Sequence, residues 1–389
     1  MKKIICILHG LTDSPLQDLG GITPLEKANC HYLDTMAKKG ECLAVIPPKF
    51  GGFETAFLNM LGIQDNLDTI AQGPLEAYSL GYVLTPNQVA FSVRFISMGE
   101  DVIIDVSDSL LTADEGKLLS RDLNKELGKS GCHFFHLRDS RAVLVSEHPA
   151  FCRAINQCYR NPLEALGKRW DDVLPGGKKD HAMYSLVKKI SSVLSKHEIN
   201  GLKMDLEEPL VNSIMVFNGG AKPKLSSLPV ELDPSRIQIY TTSSASLGVA
   251  RMLGISAFQW PSEQKKYEHL ITLLGKLEEI FSQKDVLIIE VHHLWKSTYN
   301  GELLEKVKGI EWLDRYVVKH LMNFCSSNDC QLTVLPLKQT NIRGAELLPG
   351  PVPAVLFSGK HKRENQIAFS EEMVNQTSKQ VLLSNLLNT

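Results

Sequence analysis

Long apolar runs are missing from this 389-residue chain, and so is any excess of charge of one sign. No stretch approaches the ~18 apolar residues needed to cross a bilayer. A formal net charge of -2 sets up no global field for nucleic acid or an anionic membrane, so neither is an expected partner. The short basic run KHKR, Lys360 to Arg363, reads as a solvated loop. Paired cysteines are absent too. Eight are scattered with no C-x-x-C, and CSSNDC (Cys325, Cys330) has the wrong spacing for a zinc knuckle and no matching second half. Reduced thiols in a cytoplasmic protein are the expectation. The apolar stretch after Lys2-Lys3, Ile4 to Leu8, is too short for a secretory signal. Internal repeats and low-complexity tracts are also lacking.

What the chain does have is a 43% apolar fraction, enough for a sizeable core, and a length that allows two domains or one with a large insertion. Six β-rich apolar runs read as buried parallel strands: KIICIL (3–8), NSIMVF (212–217), IQIYTT (237–242), DVLIIEV (285–291), CQLTVLPL (330–337) and PAVLF (353–357). Continuous apolarity without alternation suits strands covered on both faces. Helical patterns fall at Pro24 to Lys39, Thr55 to Leu61, Ser246 to Leu253, Glu263 to Phe281 and Glu302 to Asn323. The alternation predicts an α/β fold, doubly wound around a mostly parallel sheet. Between its halves, TADEGKLLSRDLNKEL, SRAVLVSE and HAMYSLVKKISSVLSKH predict an inserted α+β domain. The expected division is 1–110 and 202–389 for the core and 111–201 for the insertion. Ligands of open parallel sheets sit beyond the carboxyl ends of the strands. That directs attention to His9, Phe53-Glu54, His293 to Tyr299 and Leu337-Lys338.

Several segments, in order, resemble the archaeal-type cofactor-independent phosphoglycerate mutases of the alkaline phosphatase superfamily. ILHGLTDSPLQDLGGITPLEKAN (7–29) is similar to that family's opening D-G-x-x-D-x-P and L-G-G-x-T-P-L-E-x-A-N. GGFETAFLNMLGIQ (51–64) resembles its G-S-D-T-A-H-L-S-L-L-G, and QGPLEAYSLGYVLTPNQVAFSVRF (72–95) its R-G-P-x-E-A block. SRAVLVSE, FNGGAKPKLSSLP, SASLGVARMLG and PGPVPAVLF follow in the family's order. The resemblance implies an alkaline-phosphatase-type core. It also implies phosphoryl transfer through a serine nucleophile and two divalent metals (manganese, magnesium or zinc).

Carried over position by position, the resemblance places His9 where the first metal aspartate belongs and Phe53 where the nucleophilic serine belongs. Trp295 and Tyr299 fall on a metal aspartate and histidine, Leu337 and Lys338 on another such pair, and Leu347 near the last metal histidine. All seven positions are changed. On the substrate side, Gln72 stands for an arginine, Phe91-Ser92 for F-R, and DVSDSLL (105–111) for R-x-G-R-I. Asp13 and Arg141 remain. Phe53 has no atom that can attack phosphorus, and removal of a catalytic nucleophile costs on the order of 10⁶ in rate in a well-studied hydrolase. Lys338 would repel a divalent cation by roughly 4 kcal/mol per unit charge pair at 4 Å. Two metals, and any other cofactor, are therefore not expected.

His9, His292, His293, Glu54 and Glu302 are the candidates for a replacement site. One histidine from each of two strand tips with Glu54 would make a two-histidine, one-carboxylate metal site; a backbone-satisfied buried His9 is the plainer reading. GGFETAF offers free N–H groups to an anion, or simply Glu54 to a helix dipole. NGGAKPK, with Lys222 and Lys224, is a phosphate-cradling loop or a tight turn. The expected ligand-binding residues are Asp13, Glu54, Arg141, Lys222, His293 and Lys338. The expected function is a catalytically inactive phosphoglycerate-mutase-like protein that binds an anionic, phosphorylated metabolite, a partner protein or a second copy of itself. The alternatives are an active mutase interconverting 2- and 3-phosphoglycerate in glycolysis, and a metal-independent enzyme using His9 and Lys338.

Overall fold

A computed structural model describes residues 2–127, 130–154, 162–175, 181–260, 268–359 and 366–388. Its strands, in chain order, are β1 (Lys2–Leu8), β2 (Glu41–Ile46), β3 (Val89–Gly99), β4 (Val102–Asp105), β5 (Cys132–Arg138), β6 (Arg141–Ser146) and β7 (Ser213–Ala221). They continue with β8 (Ile237–Thr241), β9 (Ser256–Gln259), β10 (Val286–Val291), β11 (Cys330–Leu335), β12 (Gln339–Asn341), β13 (Glu346–Leu348), β14 (Val352–Ser358) and β15 (Gln380–Leu382). The chain divides into two compact units. The first contains residues 1–68, 225–246 and 250–389; the second contains 69–224 and 247–249.

The first unit is built on an eight-stranded sheet ordered β15-β2-β14-β11-β1-β10-β8-β9. β1 runs parallel to both β10 and β11, and β8 extends the parallel run to β9. From Ile4 to Leu8 every β1 side chain is buried, as the continuous apolar run requires of a central strand with helices on both faces. One face carries Ile4, Cys6 and Leu8 into a cluster with Leu33, Met36, Leu313, Val317 and Leu321. The expected helix from Pro24 to Lys39 is two: Pro24–Lys27, opened by a Thr23/Glu26 capping box, and His31–Lys39. The Asp314 carboxylate accepts the N–H groups of Tyr32 and Leu33 at 3.0 and 2.7 Å, satisfying first-turn donors that local sequence leaves open. Asp314 itself begins a π-helical turn, Asp314–Val318, inside the long helical stretch from Leu303 to Ser327.

The second unit is an antiparallel five-stranded sheet, β4-β3-β6-β5 with β7 on β3. The helices Ala113–Leu127 and His181–Leu194 cover it through Leu119, Leu123, Val187 and Ile190.

The architecture is α/β with a mostly parallel central sheet, as expected, but three expectations about it change. The 212–217 run is β7, an antiparallel strand of the second unit rather than a core strand, and the 353–357 run lies in β14, antiparallel to β11. Apolarity reports burial on both faces, not direction. The second unit also begins at Thr69 rather than 111. The helix Gln72–Ser79 belongs with β3, because a Cβ on Gly73 would lie 2.7 Å from the backbone of Ala90 and Phe91. The KHKR run and the start of the expected 263–281 helix lie outside the described residues; that helix is otherwise two short ones, Glu268–Leu274 and Leu277–Gln283. Among the described residues no helix is long and apolar enough to cross a membrane.

Candidate functional site

The carboxyl ends of β1, β8 and β10 deliver His9, Thr241-Thr242 and Glu290 to one place in the first unit. After His9 the chain turns at Gly10, whose φ of +86° is open to glycine at little cost. A Cβ there would sit 2.4 Å from the Trp295 backbone nitrogen, so Gly10 lets the β1 tip lie directly on the helix His293–Tyr299. Phe53 opens the helix Phe53–Met60 after Gly51, itself at φ +85°. Its ring reaches the β1 tip, 4.1 Å centroid to centroid from the His9 imidazole at 61°. His9 stacks on His292 at 4.0 Å and 29°, while Phe53 meets Trp295 at 5.2 Å and 82°. Trp295 in turn faces Tyr299 at 6.1 Å.

Beneath the rings lies a buried carboxylate. Glu290, fully enclosed, accepts from the Thr241 hydroxyl at 2.6 Å on Oε2, and its Oε1 lies 2.8 Å from His9 Nε2 and 3.7 Å from His292 Nε2. Burial drives the His9 pKa down to about 3 from its ordinary 6.5, so the His9 imidazole is neutral. Its Nδ1 has no hydrogen-bond partner among the described residues. His292 Nδ1 lies 3.2 Å from the Thr242 hydroxyl.

The remaining expected residues separate into other environments. His293 begins a helix instead of continuing the strand, and His292 is the histidine that stacks on His9. Glu54 is not in the carboxylate position of the histidine cluster. It sits in the first turn of its helix, where its charge opposes the downward push of burial on the Lys338 ammonium. Lys338, almost fully buried, donates to the Pro48 carbonyl, and Leu337 beside it is enclosed. Leu347 lies in the β12–β13 hairpin opposite Thr340. Asp13 accepts from the buried Lys306 ammonium at 2.5 Å, and Thr298 Oγ1 takes a second Lys306 proton at 2.8 Å. In the second unit Arg141 is paired with the buried Glu76, which also accepts from Ser92 at 2.6 Å and Gln72 at 2.9 Å. Lys222 is exposed there.

Glu290 escaped the sequence reading, although a lone acid within VLIIEV carries a signal: charged groups are almost never fully buried without a partner. Lys306 was missed for want of any motif around it.

A two-metal centre needs anionic oxygens or neutral imidazoles at its corners. At the positions that would supply them stand a phenyl ring, an indole, a phenol, two leucines and an ammonium, with His9 the one donor. The residues do not fit a pair of divalent cations.

Comparison with known proteins places this geometry in a lineage. A profile of the family described as 2,3-bisphosphoglycerate-independent phosphoglycerate mutase matches residues 37–200. The 2,3-bisphosphoglycerate-independent phosphoglycerate mutase of Methanosarcina barkeri is 27% identical over 386 residues, covering 96% of this chain and 94% of that protein. The enzyme of the same name from Methanosarcina mazei is 25% identical over 387 residues, covering 96% and 95%. The chain is similar to these mutases along nearly its whole length. The fold agrees: PH0037 protein from Pyrococcus horikoshii superposes with a TM-score of 0.76 at 20% identity, covering 100% of this chain and 95% of that one. The cofactor-independent phosphoglycerate mutase of Thermoplasma acidophilum gives 0.55 at 19% identity, covering 100% and 98%. The chain has their fold and presents rings and an ammonium at the positions the resemblance assigns to metal and nucleophile.

Proposed function

We propose that this chain is a phosphoglycerate-mutase homologue that binds rather than catalyses. Phe53 carries the reading. Its phenyl ring fills the position assigned to the nucleophile, edge-on to His9 and Trp295, and offers no lone pair to phosphorus. The candidate cations are already engaged: Lys338 with a carbonyl, Lys306 with Asp13, Arg141 with Glu76. That arrangement favours a partner chain over a phosphorylated metabolite, because each cation would have to abandon an internal acceptor to hold phosphate. The same engagement argues against a metal-independent enzyme using His9 and Lys338.

A second reading, an active 2,3-bisphosphoglycerate-independent mutase, is favoured by the names of the relatives, which match along nearly the whole chain. The two separate in one assay. Purified protein is incubated with 3-phosphoglycerate and magnesium, manganese, zinc or cobalt, and 2-phosphoglycerate is followed with and without chelator. The expected result is no turnover above buffer. Chelator-sensitive turnover, or phosphate trapped on a serine, overturns the binding reading in favour of the enzyme.

A further inference from the structure

His9, Glu290 and His292 form a cluster of two imidazoles and one carboxylate. Its three donor atoms lie within 4.8 Å of one another, with His9 and Glu290 buried and His292 partly so. Two imidazole Nε2 atoms converge on the same carboxylate oxygen, at 2.8 and 3.7 Å. The longer distance is too great for a hydrogen bond. The supports match those of a metal site: Thr241 fixes the free carboxylate oxygen at 2.6 Å, and Thr242 fixes the outer nitrogen of His292 at 3.2 Å.

We propose that His9, Glu290 and His292 form a mononuclear site for a divalent ion that prefers imidazole, zinc or cobalt rather than magnesium or manganese. Tetrahedral ligands at ~2.0–2.1 Å from such an ion stand ~3.3 Å apart. The two measured separations bracket that value, so small side-chain rotations close the triangle. Only His9 occupies a position that the family resemblance assigns to metal. Glu290 and His292 occupy none, so the site is a different one from the paired centre and takes one ion. Two imidazoles with one carboxylate also select differently from an all-carboxylate site: the nitrogen donors favour zinc, cobalt, nickel and copper over hard cations. Phe53, edge-on to His9 and 5.8 Å from His292, closes the cluster on that side with carbon.

The test uses full-length protein stripped with chelator and titrated with Co²⁺ or Zn²⁺, with Mg²⁺ and Mn²⁺ as controls. The expected result is one ion retained per chain after dialysis, a visible cobalt spectrum of nitrogen and oxygen ligation, and a rise in Tm with metal. Magnesium and manganese should neither be retained nor compete. His292→Ala, at a partly exposed position, should weaken cobalt binding at least ~100-fold, and Thr242→Val about tenfold. Glu290→Gln adds a third arm if it folds, and the other two decide the matter if it does not. Failure to retain either ion overturns the site, as does unchanged affinity in His292→Ala. Two ions per chain would overturn it and revive the paired centre. None of these outcomes depends on mutase turnover, so the proposal stands or falls apart from the binding reading.

Discussion

Phe53 and Lys306 show at the scale of single residues what this fold does with groups that look misplaced. Phe53 stands where the resemblance assigns a nucleophile but is buried like a core residue. Replacing it with serine should cost about 3 kcal/mol in urea unfolding, the range for truncating a buried aromatic ring. The variant should gain no phosphoglycerate turnover, because a hydroxyl there faces His9, His292 and Trp295, a set that does not hold a pair of divalent cations. Appearance of mutase activity in Phe53→Ser alone would show that the other ligands survive elsewhere. Lys306 is fully enclosed, held by Asp13, Thr298, Thr340 and the Thr12 carbonyl. Burial pushes its pKa down, while the Asp13 carboxylate holds the ammonium form in place. Lys306→Met leaves a buried carboxylate unpaired and should destabilise by about 3–5 kcal/mol. Adding Asp13→Asn, which retains an acceptor for the Ser14 and Ile342 N–H groups, should recover part of that loss. If the double variant is as unstable as the sum of the singles, the pair does not act as a unit.

At the scale of elements, the decisive contact is the β1 tip against the helix His293–Tyr299. Gly10 permits it by positive φ and by the absence of a Cβ. Gly10→Ala should cost more than about 2 kcal/mol, combining backbone strain with a clash against backbone that cannot rotate away. Thermal unfolding measures the loss, and an unchanged Tm would mean that tip and helix are not in contact. The parallel strands were legible in the sequence, because KIICIL, DVLIIEV and CQLTVLPL can be buried on both faces only inside such a sheet. His9 and Phe53 were legible as neighbours of the strand ends. The direction of β14 and the membership of β7 were not, since hydrophobic pattern carries no sign for strand direction. Glu290 and Lys306 became intelligible only in three dimensions. Each is satisfied by partners about 49 and 293 residues away, Thr241 and Asp13, that no local spacing announces.

At the scale of the whole molecule, Glu371 ties a late segment to the loop that follows β1. It accepts from the Asp13 N–H and the Thr23 hydroxyl, both at 2.9 Å. Burial raises its carboxyl from 4.5 to about 7. Between those values the folded protein keeps a proton that the unfolded chain has released. Its stabilising contribution is therefore complete below about pH 4.5 and lost as pH rises through about 7. Compared by thermal unfolding across that window, Glu371→Gln should gain on the wild type as pH increases. A constant difference between them would place the Glu371 pKa at its ordinary value.

β1 is paired on one side with β10 and on the other with β11, Lys3 lying opposite Val286 and Gln331. On the ribosome, then, β1 is a central strand made ahead of both its partners, and it has no neighbour until some 280 further residues have been polymerised. The antiparallel unit encoded in between has all its strands available long before. Vectorial synthesis therefore imposes a sequence of events, with the antiparallel unit maturing first and β1 waiting, apolar and in need of shelter, for β10 and β11 to arrive.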